Sequence, residues 1–475
     1  MDFTPVLDLS SRVPLYQQLY EQISRAIASG TIPAGDRLPS IRQLVKASGV
    51  GKITVEAAYH QLLAEGYIIS KERSGFFAAE LEVWREQTHE PATLPLPPSP
   101  LRSGNKPDPR FNFHGSVVDT RSFPYREWRT CMLEAMETYA DDFAFYGDSQ
   151  GERELRQELA GYLRRARTLH CEPEQILIGT GLQQALSLLC LLLADRHRVV
   201  AFEEPGYADA RVVFSQHGYE VVSVRVEEDG LSIESLEKSG ATVVYTTPAH
   251  QYPYGMVMPV AKRHRLLQWA KRTGSIIIEN DYDGEFRYNV RPTPSLQGMD
   301  RDGTVAYIGN FSKALSPALR LDYTVLPAEL LQRYFTSFLA YPSPVSRHLQ
   351  RTMQLFMEKG YWEKHVRKMR TLYHRKHDLL LKAVHTHMPR EVRVLGHSVG
   401  LHILLEVKTS RSEDELMQQA LAAGIRVYAS GRSWAQPPSY FLPRMIVGFG
   451  GVAESDMEEG ISLLAGAWFG SNLLT

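Results

Sequence analysis

Apolar residues at Leu15, Leu19, Ile23 and Ile27 recur every four positions, the stripe of an amphipathic helix, and Ser29-Gly30 is a normal stop for it. After "IPAGDRLPS", Pro39 and Ser40 supply the start signals of a second helix expected at about 41–47. "SGVGK" reads as a tight turn, because Gly49 and Gly51 accept backbone angles that other residues resist. A third helix is expected at about 53–65. "GYIISKERSGFFAA" then alternates in the manner of a two-stranded hairpin with a charged tip at 71–75.

From Phe111 onward the pattern changes. Short apolar, β-branched runs ("QILIGTG", "RVVAFEEPG", "TVVYTTP", "SIIIENDYD", "TVAYIGNFS") each end in Gly, Pro, Asn or Asp. Helical stretches ("QQALSLLCLLLA", "ADARVVFSQH", "AKRHRLLQWAKRTG") lie between them. Near-continuous apolar strands alternating with helices predict an α/β domain whose mostly parallel sheet is covered on both faces. In such sheets a ligand sits beyond the carboxyl ends of the strands. Between the two patterns lies "EPATLPLPPSPLRSGNKPDP", where proline removes backbone donors and fixes φ, giving a semi-rigid spacer. The expected division is residues 1–78, a Pro-rich linker at 79–110 and a large domain at 111–475.

Composition narrows the function classes. With 475 residues, 43% hydrophobic and 23% charged, the chain has an ordinary globular balance, which excludes a collagen-like, rod-like or largely disordered protein. Lys+Arg 53 against Asp+Glu 54 leaves a formal net charge of -1, so nucleic-acid binding must rest on local patches. Three widely spaced cysteines, Cys131, Cys171 and Cys190, exclude a disulfide framework and a CxxC metal knuckle, and no metal is expected. No secretory pattern opens the chain, and the longest apolar run, 186–194, is too short to span a bilayer. A cytoplasmic location without membrane contact is expected.

Helix, helix, short glycine turn, helix and β-ribbon is the order of a winged helix-turn-helix; a small helical dimerisation module is the blander reading. The DNA reading asks for short polar or cationic residues where the third helix begins, and Lys52, Thr54 and Glu56 fall there. Arg42 precedes them and Arg73 stands on the wing. Eight basic and seven acidic residues up to position 78 nearly cancel, so affinity would depend on placement or on two copies acting together. Along its whole length, "PLYQQLYEQISRAIASGTIPAGDRLPSIRQLVKASGVGKITVEAAYHQLLAEGYIISKERSGFFA" resembles a GntR-type winged helix. The resemblance implies that Arg37, Ser40, Arg42, Lys52, Thr54, Ser74 and Gly75 touch a double-stranded operator, with Arg73 beside them. Where the family usually enters the recognition helix with Ser-Arg, this chain has Gly51-Lys52. Lysine is a point charge that makes no bidentate guanine contact, so preference at that base is expected to be looser.

Polar clusters close the strands of the large domain. "GTGLQQA" sets a glycine turn at a helix N-terminus, an anion site of free amides that often only closes a βα unit. "EEPGY" offers the aromatic Tyr207, and "ENDYDGEF" stacks polar groups after a buried strand. "GNFSKALSPALRLDY" places Lys313 after a strand, Ser312 before it and Arg320 seven residues on. A single lysine is ordinarily a solvated surface group; the combination supplies what a pyridoxal phosphate site needs, namely a Schiff-base lysine, a ring-nitrogen partner and phosphate anchors. Together with "FYGDSQGERELRQELAGYLRRAR", "TPAHQYPYG" and "VGLHILL", these segments resemble fold-type I, class I/II aminotransferases. Joined to the GntR-type head, the whole chain resembles MocR-type regulators. That resemblance implies pyridoxal 5′-phosphate on Lys313, with Tyr207 stacked on its ring, and Thr180, Gly181, Leu182, Ser312 and Arg320 at its phosphate. It also implies Tyr282 at the ring hydroxyl and a homodimer built through the large domains.

The departures shape the functional expectation. The family's "EDDYD" has an Asp at the pyridine nitrogen, where this chain offers Asn280 or, one register on, Asp281. Asp209 stands where γ-amino-acid-responsive relatives carry Arg. Their "LRLGF" is altered to "RMIVGFGG", with Arg444 displaced by two residues, so a carboxylate clamp of their type is in doubt. The reading is a transcription regulator whose aminotransferase-like domain senses pyridoxal phosphate, or an amino compound reacting with it, through Lys313. A working aminotransferase with an appended DNA-binding head is the alternative. A DNA-binding protein whose large domain only dimerises is the third. Fold analogy does not choose between them; the head and Asn280 favour the sensor, with weak transamination left open.

Overall fold

The i, i+4 stripe folds as helix α1 (Leu15–Ala28), which buries Leu19, Ile23 and Ile27. A computed structural model of the chain describes residues 5–8, 11, 13–80, 109–288, 293–438 and 442–470. The spacer expected at 79–110 therefore lies, apart from its ends, outside the described residues. The chain divides into two units, Met1–Lys106 and Pro107–Thr475.

In the first unit α2 (Ile41–Ser48) starts at a capping box: the Ser40 hydroxyl accepts from the Gln43 amide while the Gln43 side chain accepts from the Ser40 amide. Gly49 ends it at φ 69°, a left-handed angle that suits glycine. Helix α3 (Lys52–Ala64) buries Val55, Ala58, Tyr59 and Leu62 against α1. Strands β1 (Ile68–Lys71) and β2 (Gly75–Ala78) pair antiparallel, Ile68 opposite Ala78. Their inward residues, Ile68 and Ala78, close one core with Leu19, Leu44, Val55 and Leu62. This is a winged helix-turn-helix.

The second unit opens with β3 (Phe111–Asn112), α4 (Tyr125–Thr138) and α5 (Arg153–Arg167). Strand–helix alternation follows: β4 (Ile176–Gly179), α6 (Leu182–Leu193), β5 (Val199–Glu204), α7 (Ala208–Gln216), β6 (Glu220–Glu227) and β7 (Gly230–Leu231). It continues with α8 (Ile233–Lys238), β8 (Val243–Thr246), α9 (Val260–Thr273), β9 (Ile276–Asp281), α10 (Leu296–Met299), β10 (Val305–Asn310) and β11 (Asp322–Val325). The eight strands order as β4-β11-β10-β9-β8-β5-β6-β7, with β10, β9, β8, β5 and β6 mutually parallel. Side chains alternate between faces along each strand. Ile276 and Ile278 pack with Leu186, Leu189 and Phe214, while Ile277 packs with Leu266 and Trp269 on the other face. Both faces are covered, which is why these strands read as unbroken apolar runs. The result is the mostly parallel α/β sheet, covered on both faces, that the pattern predicts.

A smaller antiparallel sheet of β12 (Val392–Leu395), β13 (His402–Val407), β15 (Tyr428–Ala429) and β16 (Arg444–Gly448) completes the unit. The short β14 (Ile425–Arg426) pairs parallel with β3. The segment after β3 is held on both sides: Phe113 donates its amide to the Arg426 carbonyl at 3.0 Å and accepts from Gly448 at 2.9 Å. Among the described residues no helix is long and apolar enough to cross a membrane.

Candidate functional site

The carboxyl ends of β4, β5, β8, β9 and β10 open into one cavity of about 780 Å³. Of the residues singled out from sequence, Gly181, Leu182, Tyr207, Asn280, Tyr282, Ser312, Lys313 and Arg320 line it. Thr180 and Asp281 do not. Gly181 has φ 126° and stands at the N-terminus of α6, where no side chain caps the free amides. A Cβ there would lie 2.2 Å from the Arg320 guanidinium, so the glycine is what lets that cation reach the helix end. Free amides, helix dipole and a guanidinium together form an anion cradle.

Lys313 faces this cradle from the loop after β10, its amine donating to the Gly115 carbonyl 198 residues away. Burial lowers its pKa to about 8, with Asp283 pulling the other way. A partly buried amine brought this close to neutrality is a far better nucleophile than a surface lysine.

Neighbours in sequence, Asn280 and Asp281 part company because strand side chains alternate. Asn280 faces the cavity and donates from Nδ2 to the Tyr245 hydroxyl at 2.7 Å. Asp281 turns into the core, where it accepts from the Tyr307 hydroxyl at 2.7 Å and pairs with the buried Arg167.

Sequence reasoning missed the group behind Tyr282. His250 Nδ1 lies 2.8 and 2.9 Å from the two Asp283 oxygens and 2.9 Å from the Tyr282 hydroxyl. A carboxylate only accepts, so Nδ1 carries the hydrogen and the Tyr282 oxygen shares it. The hydroxyl hydrogen of Tyr282 is then free to point into the cavity. The His402 ring lies 4.9 Å from that of His250, tilted by 33°, and donates from Nε2 to the Pro253 carbonyl; burial, then His250, lowers its pKa to about 3. His250, Asp283 and His402 lie close enough to hold an ion, but hydrogen bonds already use His250 Nδ1 and His402 Nε2. The only sequence signal was their place in "TPAHQYPYG", "ENDYDGEF" and "VGLHILL".

The far wall carries two further cations, Arg426 and Arg432, neither with an ion-pair partner among the described residues. Arg426 hydrogen-bonds Tyr428, whose hydroxyl donates to Asn112 at 3.3 Å. Arg444 is not part of this wall: Glu406, opposite it in the β13–β16 register, holds its Nη2 and Nε at 2.7 and 2.8 Å, and its Nη1 donates to the Tyr254 hydroxyl. Ile446, two positions on, lines the cavity instead.

In the first unit, Arg37, Ser40, Arg42, Lys52 and Gly75 line one concavity of about 350 Å³ together with Leu38, Ile41 and Phe76. Thr54, Arg73 and Ser74 lie outside it. Arg73 adopts φ 59° at the hairpin tip. Lys52 pairs with Glu56 at 3.2 Å across one helical turn. Ile53, overlooked in the sequence, is 82% exposed between Lys52 and Thr54, because the buried stripe of α3 runs through Val55 and Tyr59.

Comparison with known proteins agrees with both halves. Residues 15–78 match the bacterial regulatory protein, gntR family, model and residues 119–436 match aminotransferase class I and II. The chain is 39% identical to the uncharacterized HTH-type transcriptional regulator YhdI of Bacillus subtilis, covering 98% of each. It is 30% identical to the probable rhizopine catabolism regulatory protein MocR of Rhizobium meliloti, covering 98% of this chain and 95% of that one. A kynurenine aminotransferase of Pyrococcus horikoshii superposes with TM-score 0.67 at 26% identity, over 76% of this chain and 91% of its own. The chain belongs to the MocR-type HTH transcriptional regulators, in which a GntR-family winged helix is joined to a class I and II aminotransferase domain.

Proposed function

We propose that the large domain of this regulator holds pyridoxal 5′-phosphate on Lys313, senses the cofactor or an amino compound there, and adjusts operator binding by the head. The convergence of Lys313, the Gly181–Arg320 cradle, Tyr207 and Tyr282 in one cavity carries this reading. The residues fit the group: the cradle suits a phosphate, Tyr207 offers a stacking face and Tyr282 a free hydroxyl hydrogen. Leu182 and Ser312 would add donors at the phosphate, and Thr180 would brace the turn. When bound, the cofactor supplies a carbon that condenses reversibly with an amine and a ring that withdraws electrons. Asn280, rather than Asp281, would meet the ring nitrogen. Its neutral amide holds no proton there as a carboxylate would, which favours sensing over turnover.

Lys313 also gives the signal a way out. Its amine is bonded to Gly115, on the first segment of the large domain after the spacer. Committing that nitrogen to a cofactor, or releasing it to an incoming amine, changes the hold on residues 113–115. A ligand shifts an equilibrium only through such differential contacts. Arg426 and Arg432 would receive an anionic end of the amine. The organisation proposed is a DNA-binding head at 1–78, a linker at 79–110 and the sensor at 111–475, in the cytoplasm.

Operator contacts are assigned to Arg37, Ser40, Arg42, Lys52, Thr54, Arg73, Ser74 and Gly75. A homodimer through the large domains is supported by apolar residues left exposed at Tyr125, Leu133 and Met136 on α4 and at Phe145 and Tyr146 beyond it. Light scattering at micromolar concentration checks the dimer; a monomeric mass contradicts it. The cofactor is tested by the visible absorbance of the full chain mixed with pyridoxal 5′-phosphate. A new band present in wild type and lost in Lys313→Ala supports the reading, and no band in wild type contradicts it.

A further inference from the structure

The anion cradle contains an acid. Asp322 opens β11 two residues after Arg320, is 1% exposed and lines the cavity. Across the sheet it lies opposite Gly179 on one side and Asn310 on the other, between the Gly181 turn and the Lys313 loop. Room for its side chain is made by Gly179, where a Cβ would come 2.4 Å from Asp322 Oδ1. Among the described residues no well-formed hydrogen bond satisfies either carboxylate oxygen, although the Gly181 amide is near enough to act on the group.

Its surroundings explain why this is unusual. Gly179, Gly181 and Gln184 face it from β4 and α6, and Asn310 from β10; all are uncharged. Arg320, on its own segment, is the charge that acts on it. Burial raises its pKa to about 6, while the Gly181 amide and Arg320 pull the other way. Those two groups are also the donors that a phosphate in the cradle would use. An ionised carboxylate and a phosphate repel each other there, and burying the ionised form without partners is costly. A protonated carboxyl has one hydrogen to donate to an anion's oxygen.

We propose that Asp322 is a proton-gated member of the cradle: as the neutral acid it donates a hydrogen bond to a phosphate oxygen, and as the carboxylate it competes with that phosphate for Gly181 and Arg320. A phosphate ester then enters together with one proton, which stays on Asp322. This deepens the cofactor reading above and rests on it.

The test is an equilibrium titration of the full chain with pyridoxal 5′-phosphate and, separately, with pyridoxal, which lacks the phosphate. It compares wild type with Asp322→Asn and Asp322→Ser from about pH 5.5 to about pH 8.5. Taking the ratio of dissociation constants cancels the titration of Lys313 and of the ester, which all three proteins share. Near pH 5.5 the ratio of wild type to Asn is expected within about threefold of one. Above pH 6 wild type should lose about tenfold relative to Asn for each pH unit, reaching about 100-fold near pH 8. The Ser variant should follow the same slope, and pyridoxal should show none. A ratio flat across pH, tighter binding by wild type near pH 8, or the same ratio with pyridoxal overturns the proposal and leaves the cofactor reading standing. Absence of ester binding by all three proteins at every pH overturns the cofactor reading, and this inference with it.

Discussion

The two halves of this regulator set their cations in different surroundings, open solvent in the head and the wall of a cavity in the large domain. In the head the cations stand in solvent: the Lys52 side chain is 71% exposed and leans on Glu56. In the large domain they line a cavity: Lys313, partly buried, is brought down to about 8 by desolvation, and Arg320, itself exposed, is set against a helix end and a buried acid. Exposed charges attract through water and are screened by salt within about 10 Å. Donors set against a buried acid on a cavity wall act at short range, and their strength depends on which protons are present. The head's affinity should therefore follow ionic strength, and the cavity's should follow pH.

The largest effect that sharpens this contrast lies at Asp322. Its folded pKa of about 6 exceeds the ordinary value of 3.8, so the native state loses stability as pH rises between the two. Above pH 6 the loss is on the order of 3 kcal/mol. Asp322→Asn should raise the melting temperature at pH 8 and leave it nearly unchanged at pH 3; an equal shift at both pH values would break the contrast. Next, Arg426→Gln should weaken the response to carboxylate-bearing amines about tenfold relative to n-propylamine, since a charge-assisted hydrogen bond is worth about 1.5–3 kcal/mol. An unchanged ratio removes that arginine from recognition.

Smaller effects belong to the exposed half. Arg42→Ala and Lys52→Ala should each lower operator affinity several-fold and reduce the slope of log affinity against log salt by about 1. A slope that stays put would mean the side chain meets no phosphate. Glu56→Gln is expected to do least to the fold, within about 0.5 kcal/mol, because exposed i, i+4 pairs contribute little. By freeing Lys52 it should tighten operator binding at low salt, and a loss of affinity would contradict this.

The same contrast explains what could be read from the chain. The head is a local code: Leu15, Leu19, Ile23 and Ile27 give α1, and the alternation after Gly66 gives the β1–β2 hairpin, each within a dozen or so residues. The positions of Lys313 and Tyr207 on the cavity wall were legible because they follow strands in motif-bearing loops. What stayed hidden depends on pairing between distant segments. The displacement of Arg444 already argued against a carboxylate clamp, but its partner, Glu406, is set only by strand register. Asp322 stood in the "RLDY" motif, but its burial, with neither oxygen satisfied by a well-formed hydrogen bond among the described residues, follows from lying beside Gly179. Gly115 gave no signal of its contact with Lys313. The choice between Asn280 and Asp281 needed the strand's phase, which places one in the cavity and the other against Arg167.

The sensing reading is tested most directly by operator affinity of the full chain, titrated with pyridoxal 5′-phosphate and then with candidate amino compounds, in wild type and Lys313→Ala. A coupling of about 1–3 kcal/mol predicts that wild-type affinity changes about 5- to 150-fold with ligand, while Lys313→Ala keeps basal operator binding and shows no change. A variant that responds as fully as wild type would contradict it.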